Sequence, residues 1–148
     1  MKILLAMDGS KYSETAARAV IAGLRTEGAE VRVLQVVEMA IYAEPPQMAQ
    51  GYAPELEGQL KKARESVAHV AEMLREAGFI AEPHVLQGEV RTVILDTAED
   101  WRADMIVLGS HGKTGLLKLM MGSVAESVGR HARCSVLIVR RPAEERQA

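Results

Sequence analysis

Cysteine and aromatic residues are nearly absent from this chain. Of its 148 residues, one is cysteine, one phenylalanine and one tryptophan. A single thiol, Cys134, excludes an intramolecular disulfide and fits a reducing compartment. With aromatics at 3%, the core has to be aliphatic, drawn from the 48% of residues that are hydrophobic. A long apolar run is missing too. The stretch at residues 3–7 falls far short of the roughly 20 residues a membrane helix needs, and Asp8 follows too early for a signal peptide. Neither charge sign dominates: 18 Lys and Arg against 20 Asp and Glu leave a formal net charge of −2. That balance gives no global case for nucleic acid or an anionic membrane as partner. The expectation is a cytoplasmic, single-domain protein, long enough to bury about 70% of its unfolded surface without staples.

What the chain does have is alternation. Residues 3–7 form a continuous apolar run, as in a strand buried on both faces. Tyr12, Ala16, Ala19, Val20, Gly23 and Leu24 recur at helical spacing, with Gly28 as the expected cap. Residues 31–37 are rich in β-branched side chains and predict a second strand. Residues 38–53 have no period, contain Pro45 and Pro46, and predict a long flap beside the site. Leu56, Leu60, Ala63, Val67, Val70, Ala71 and Leu74 mark a long amphipathic helix closed by Gly78. Residues 80–86 predict a third strand, at a sheet edge because it holds Pro83. Val90, Ile94, Leu95, Ala98 and Trp101 give a third helix, residues 105–108 a fourth strand, Val124, Val128 and Ala132 a fourth helix, and residues 136–139 a fifth strand. The order βαβαβαβαβ predicts a single-domain, doubly wound, five-stranded parallel α/β sheet in the order 3-2-1-4-5, helices on both faces. The domain is expected to span residues 1–141, with a charged tail at 142–148.

In such a sheet, ligands bind at the carboxyl ends of the strands where the winding reverses, here between strands one and four. Met7-Asp8-Gly9-Ser10 reaches that point from strand one. From strand four comes Gly109-Ser110-His111-Gly112, then nine residues, then Gly122-Ser123 at the start of a helix. Val36-Val37-Glu38 flanks the same edge. Glycine lets backbone approach an anion, and the first-turn N–H groups of a helix point at it, so the segment reads as a phosphate loop. It is not a Walker A loop: Gly112-Lys113-Thr114 resembles the tail of one, but the earlier glycine would fall at Val107, inside the strand. No G-x-G-x-x-G follows strand one, so a dinucleotide fingerprint is absent as well.

The spacing G-x2-G-x9-G-[S/T], filled by Gly109, Gly112, Gly122 and Ser123, resembles the ATP-binding branch of the universal stress protein family. So do the opening from Ile3 through Ser10, Ser13-x-x-Ala16, and the closing Ser135-Val136-Leu137-Ile138-Val139-Arg140. The resemblance implies a Rossmann-like domain of the adenine nucleotide alpha hydrolase type that binds ATP. Its implied contact set is Met7, Asp8, Gly9, Val36, Val37, Leu108, Gly109, Ser110, Gly112, Lys113, Gly122, Ser123 and Val124. Within it, Asp8 would lie near adenosine, or meet a phosphate-borne Mg²⁺ or Mn²⁺. Val36 or Val37 would line the adenine. Gly109 and Gly112 would let the backbone wrap ribose and phosphates, and Gly122 and Ser123 would donate to the distal phosphates. The family also implies a homodimer, here through the strand at 136–140.

Plainer roles compete at several of these positions. Ser123-x-x-Glu126 reads as a capping box, and Ser10 or Asp8 as a cap for helix one. Lys113 and Lys118 suit phosphate, although a solvated lysine is the commoner outcome. His69, His84 and His131 lack ligand spacing, so no protein-only metal site is expected. Cys134 reads as a small core residue. Function divides three ways: a nucleotide-dependent regulatory or stress protein, a slow ATPase or phosphotransferase, or a nucleotide-free interaction module. No catalytic motif supports the second, since a G-x-S-x-G elbow is absent. The intact glycines oppose the third.

Overall fold

Each short apolar run forms a strand, and each amphipathic segment forms a helix packed on the sheet. A computed structural model describes residues 1–24, 27–38, 52–111 and 121–140. The elements are β1 (Lys2–Met7), α1 (Lys11–Gly23), β2 (Glu30–Val37), α2 (Tyr52–Glu76), β3 (Ile80–Gln87), α3 (Val90–Trp101), β4 (Met105–Gly109), α4 (Ser123–His131) and β5 (Ser135–Val139). Every strand pairing is parallel. The order is β3-β2-β1-β4-β5, as the alternation predicts. The winding therefore reverses between β1 and β4.

Period-two geometry sends neighbouring side chains of one strand into different cores. Ile3 and Leu5 join Val31, Val33 and Val107 beneath α1 and α2, against Ala16, Ala17, Val20, Val67, Val70 and Leu74. Leu4 and Ala6 join Leu34, Ile106 and Leu108 beneath α3 and α4, against Ile94, Ala98, Ala125 and Val128. Each fully buried Leu, Ile or Val contributes about 1.5–3 kcal/mol. The contacts are almost entirely aliphatic, and the small Ala16 and Ala17, both fully buried, let α1 lie close to the sheet.

Two helices end in the same way. After α2, the Gly78 N–H donates to the Arg75 carbonyl at 2.9 Å and the Phe79 N–H to Leu74 at 3.0 Å. After α3, Arg102 donates to Glu99 at 3.0 Å and Ala103 to Ala98 at 2.8 Å. This pattern needs a left-handed residue. Gly78 supplies it at φ 98°, and Arg102 supplies it at φ 55° without a glycine.

Two expectations need correction. Gly28 does not cap α1, which closes at Leu24 with its N–H on the Val20 carbonyl. Gly28 instead takes φ 73° in the turn before β2. Helix α2 begins at Tyr52, so it absorbs the end of the expected flap. Pro54 fits there because a first-turn N–H has no intrahelical partner. Of that flap, residues 39–51 lie outside the described residues, as do 141–148 of the expected tail. Pro83 does lie in an edge strand, whose Ile80 and Leu86 are exposed.

Helix α3 carries a titratable cap. The Glu89 carboxylate accepts from the Thr92 N–H at 2.8 Å and from the Thr92 hydroxyl at 2.6 Å. The hydroxyl first, and then the N–H, hold this carboxyl below its ordinary range. A depressed folded-state pKa gives stability that is present above the unfolded value, about 4.3, and lost as pH falls through the folded value. The unmodified chain should therefore have a higher urea midpoint than Glu89→Ala at neutral pH. The gap should narrow as the medium is acidified below about pH 4. A gap that stays constant down to about pH 3 would show that the cap is not ionic.

Candidate functional site

The turn after β1 is built on Asp8. Gly9 takes φ 78°, a left-handed conformation that glycine tolerates without strain. Asp8 Oδ1 accepts from the Ser10 N–H at 2.9 Å and from the Ser13 hydroxyl at 3.0 Å. Ser13 Oγ in turn accepts from the Asp8 N–H at 3.0 Å. Asp8 thus closes an Asx turn, and the buried Ser13 ties it to the first turn of α1. Ser10 occupies the N-cap position, but its hydroxyl makes no cap bond. The expected choice between Ser10 and Asp8 as cap is resolved differently: one Asp8 oxygen orders the turn ahead of the helix.

Ser110 organises the other side. Its N–H donates to the Val139 carbonyl at 2.9 Å, and its carbonyl accepts from the Gly122 N–H at 2.7 Å. The second bond brings the start of α4 against the end of β4. A Cβ on Gly122 would stand 3.0 Å from the Ser110 carbonyl oxygen and 3.4 Å from His111 Cα. Its φ is −61°, open to any residue. Glycine is favoured here by the close approach and not by the dihedral angle: a Cβ would press on the Ser110 carbonyl by a few tenths of an ångström. At Gly109 a Cβ would meet nothing among the described residues nearer than 3.5 Å. Gly112 and Lys113 lie outside the described residues.

Gly122 is the N-cap of α4, and among the described residues no side chain caps the helix there. The capping box expected from Ser123 and Glu126 is out of frame. Ser123 is already the first helical residue, and Glu126 pairs with Arg130 at 2.9 Å instead. Among the described residues, the first-turn N–H groups of α4 therefore face the cavity without a cap.

These segments surround a cavity of about 360 Å³ at the reversal point. Ala6, Leu108, Val90, Ile94, Val124 and Ala125 make its apolar wall. Asp8, Tyr12, Ser13, Glu38, Ser110, His111, Gly122 and Ser123 supply its polar atoms. Ser110 Oγ and His111 Nδ1 lie 3.0 Å apart. Of the residues expected from sequence, Met7, Asp8, Leu108, Gly109, Ser110, Gly122, Ser123 and Val124 line the cavity. Gly9, Val36 and Val37 do not. Gly9 lies over the Gln35 amide, and Val36 packs among the residues under α3 and α4. Val37 is buried on the opposite face with Leu60 and Ala63, so its side chain lines no wall. Sequence reasoning missed Val90 and Ile94. Their signal was topological: α3 follows a parallel strand, so its first turn opens on the same edge as the phosphate loop.

Cys134 is half-buried, and burial pushes its thiol pKa up. Among the described residues no cluster of His, Cys, Asp and Glu is arranged to hold a metal. Among them, too, no helix is long and apolar enough to cross a membrane.

Fold and site together define a doubly wound α/β protein with a ligand-sized crevice where its strand order reverses. The chain matches the universal stress protein family over residues 1–140 and belongs to it. It is 36% identical over 145 residues to universal stress protein MJ0531 of Methanocaldococcus jannaschii, covering 97% of this chain and 84% of that one. The solved structure of MJ0577, from the same organism, superposes with a TM-score of 0.82 at 31% identity over 96% of each chain. A family member from Arabidopsis thaliana, solved with AMP bound, shares the fold with a TM-score of 0.72 at 21% identity, over 98% of this chain and 94% of that one.

The Asp8–Ser13 pair should be measurable as stability. Asp8→Ala removes the acceptor of two hydrogen bonds and should cost about 1–3 kcal/mol in denaturant unfolding. Asp8→Asn keeps an acceptor oxygen and should recover most of that loss. Equal stability of Asp8→Ala and the unmodified chain would leave Asp8 without a structural role.

Proposed function

We propose that this protein binds ATP in the crevice between β1 and β4 and acts as a regulatory stress protein whose state depends on the bound nucleotide. The phosphates lie at the N-terminus of α4, on Gly122, Ser123 and Val124. The adenosine lies toward β1 and β2, with its base against the apolar wall. The observation that carries this reading is the close approach of Gly122 to Ser110, which a Cβ would crowd, and which sets a helix N-terminus with no cap among the described residues at the cavity. Helix N-termini of this kind bind phosphate through backbone N–H groups and the helix dipole. The cavity is within the size range of small-molecule sites. The AMP held by the Arabidopsis relative supports an adenine nucleotide as ligand class. Mg²⁺ or Mn²⁺, where present, arrives with the triphosphate and is held by its oxygens and water.

The same reading includes a homodimer through β5. This strand is at the sheet edge, and Val136, Leu137, Ile138 and Val139 are only half-buried. An apolar edge invites pairing with another chain, and a two-fold axis lets two copies close both edges at once.

Two measurements test these statements. Calorimetry with ATP should show binding to the unmodified chain and none to Gly122→Val, whose far-ultraviolet circular dichroism should match the unmodified chain. Undiminished affinity in the folded variant would refute the phosphate assignment. Light scattering at micromolar concentration should report the mass of two chains; the mass of one chain would eliminate the dimer.

A further inference from the structure

Resting on the nucleotide reading above, we infer that Glu38 sets specificity by accepting hydrogen bonds from the ribose diol of the bound nucleotide. Strand parity brings its side chain to the cavity. On β1, Leu4 and Ala6 face α3 and α4, and Asp8 continues that row. On β2, Leu34 and Val36 face the same way, and Glu38 continues their row past the strand end. Ala6 is level with Leu34, so Asp8 is level with Val36 and Glu38 stands one step farther out. One step is about 7 Å along the strands, and the rows lie about 4.8 Å apart. The end of β2 is held in place from its other side, where the Gly88 N–H donates to the Val37 carbonyl at 3.1 Å.

Charge then fixes what Glu38 can receive. Among the described residues lining the cavity there is no lysine or arginine, and the two carboxylates are Asp8 and Glu38. Both end the β1–β2 side, while the uncapped N–H groups of α4 are across the winding reversal on the β4 side. The cavity is therefore polarised. Phosphate oxygens are repelled from the carboxylate side and drawn to the helix. A carboxylate is an acceptor only, so its partner must bring O–H or N–H donors. Asp8 already spends Oδ1 on Ser10 and Ser13, whereas Glu38 is exposed at the end of its strand. A vicinal diol offers two donors that one carboxylate can accept together. An acidic residue at the end of a second strand does this for ribose in other doubly wound sheets.

The test compares ATP with 2′,3′-dideoxy-ATP on the unmodified chain and on Glu38→Gln, with circular dichroism to check that the variant is folded. The unmodified chain should bind ATP about tenfold or more tighter than the dideoxy analogue, the scale of a hydrogen bond to a charged group. In Glu38→Gln that preference should fall to within about threefold, with affinity for the analogue unchanged or improved. Equal binding of the two nucleotides by the unmodified chain would overturn the assignment. So would a Glu38→Gln variant that keeps the full preference, or one that binds both nucleotides tighter to the same degree, which would make Glu38 a source of repulsion only. Failure of the unmodified chain to bind ATP at all would remove the nucleotide reading and this assignment together.

Discussion

The hydrogen bond from Gly122 to the Ser110 carbonyl, at 2.7 Å, is the contact on which the site depends. Ser110 is itself held by the Val139 carbonyl of β5, so the sheet, the end of β4 and the start of α4 meet at one residue. The contact joins two chain segments across 11 intervening residues and sets where the helix begins. A side chain at position 122 would press on the Ser110 carbonyl and strain the place where α4 meets the strand. Fold and site are therefore coupled through one backbone approach. The sheet supplies the place, and the absent Cβ supplies the proximity.

A second constraint is the aliphatic core. With few aromatic rings to fill space, the two layers are packed by branched strand residues against small helix residues. Ala16, Ala17, Ala63 and Ala71 are fully buried. Aliphatic packing of this kind tolerates little volume change, since adding even one methylene to a dense core forces side chains off their rotamers. The polar groups of the site sit at the rim of this core. Asp8 and Ser13 satisfy each other there, so the turn after β1 keeps its shape without a ligand. The rim is thus organised in advance on the β1 side, while on the α4 side the described residues leave the helix donors uncapped.

Element order, sheet topology and the reversal point were legible because they rest on long-range regularities: alternation of strand and helix, and the handedness of crossovers. Side-chain direction was harder to read. Residues 31–37 form a strand buried on both faces, so it shows no alternation, and sequence offered Val36 and Val37 equally for the adenine. The structure buries Val37 on the far side. Helix frame was hard for a related reason. Ser123 and Glu126 fit a capping box, but the Ser110 carbonyl fixes Gly122 as the N-cap and moves Ser123 one position into the helix. Gly28 was offered as a cap because local chemistry cannot tell a helix end from the turn that follows it.

Glu38 shows how much of a site is decided by topology rather than by motif. The sequence places it only as the last residue of a segment that flanks the site, and it stands outside the glycine pattern that directs attention to β4. Its presence at the cavity follows from three facts that no short segment contains: β2 is parallel to β1, their register puts Ala6 beside Leu34, and even-numbered residues of both strands face α3 and α4. The glycine pattern draws attention to the β4 side of the crevice, and the strand parity to the β1–β2 side. On the nucleotide reading proposed above, a ligand with a donor-rich sugar and phosphates would lie with its phosphates toward α4 and its sugar toward Glu38.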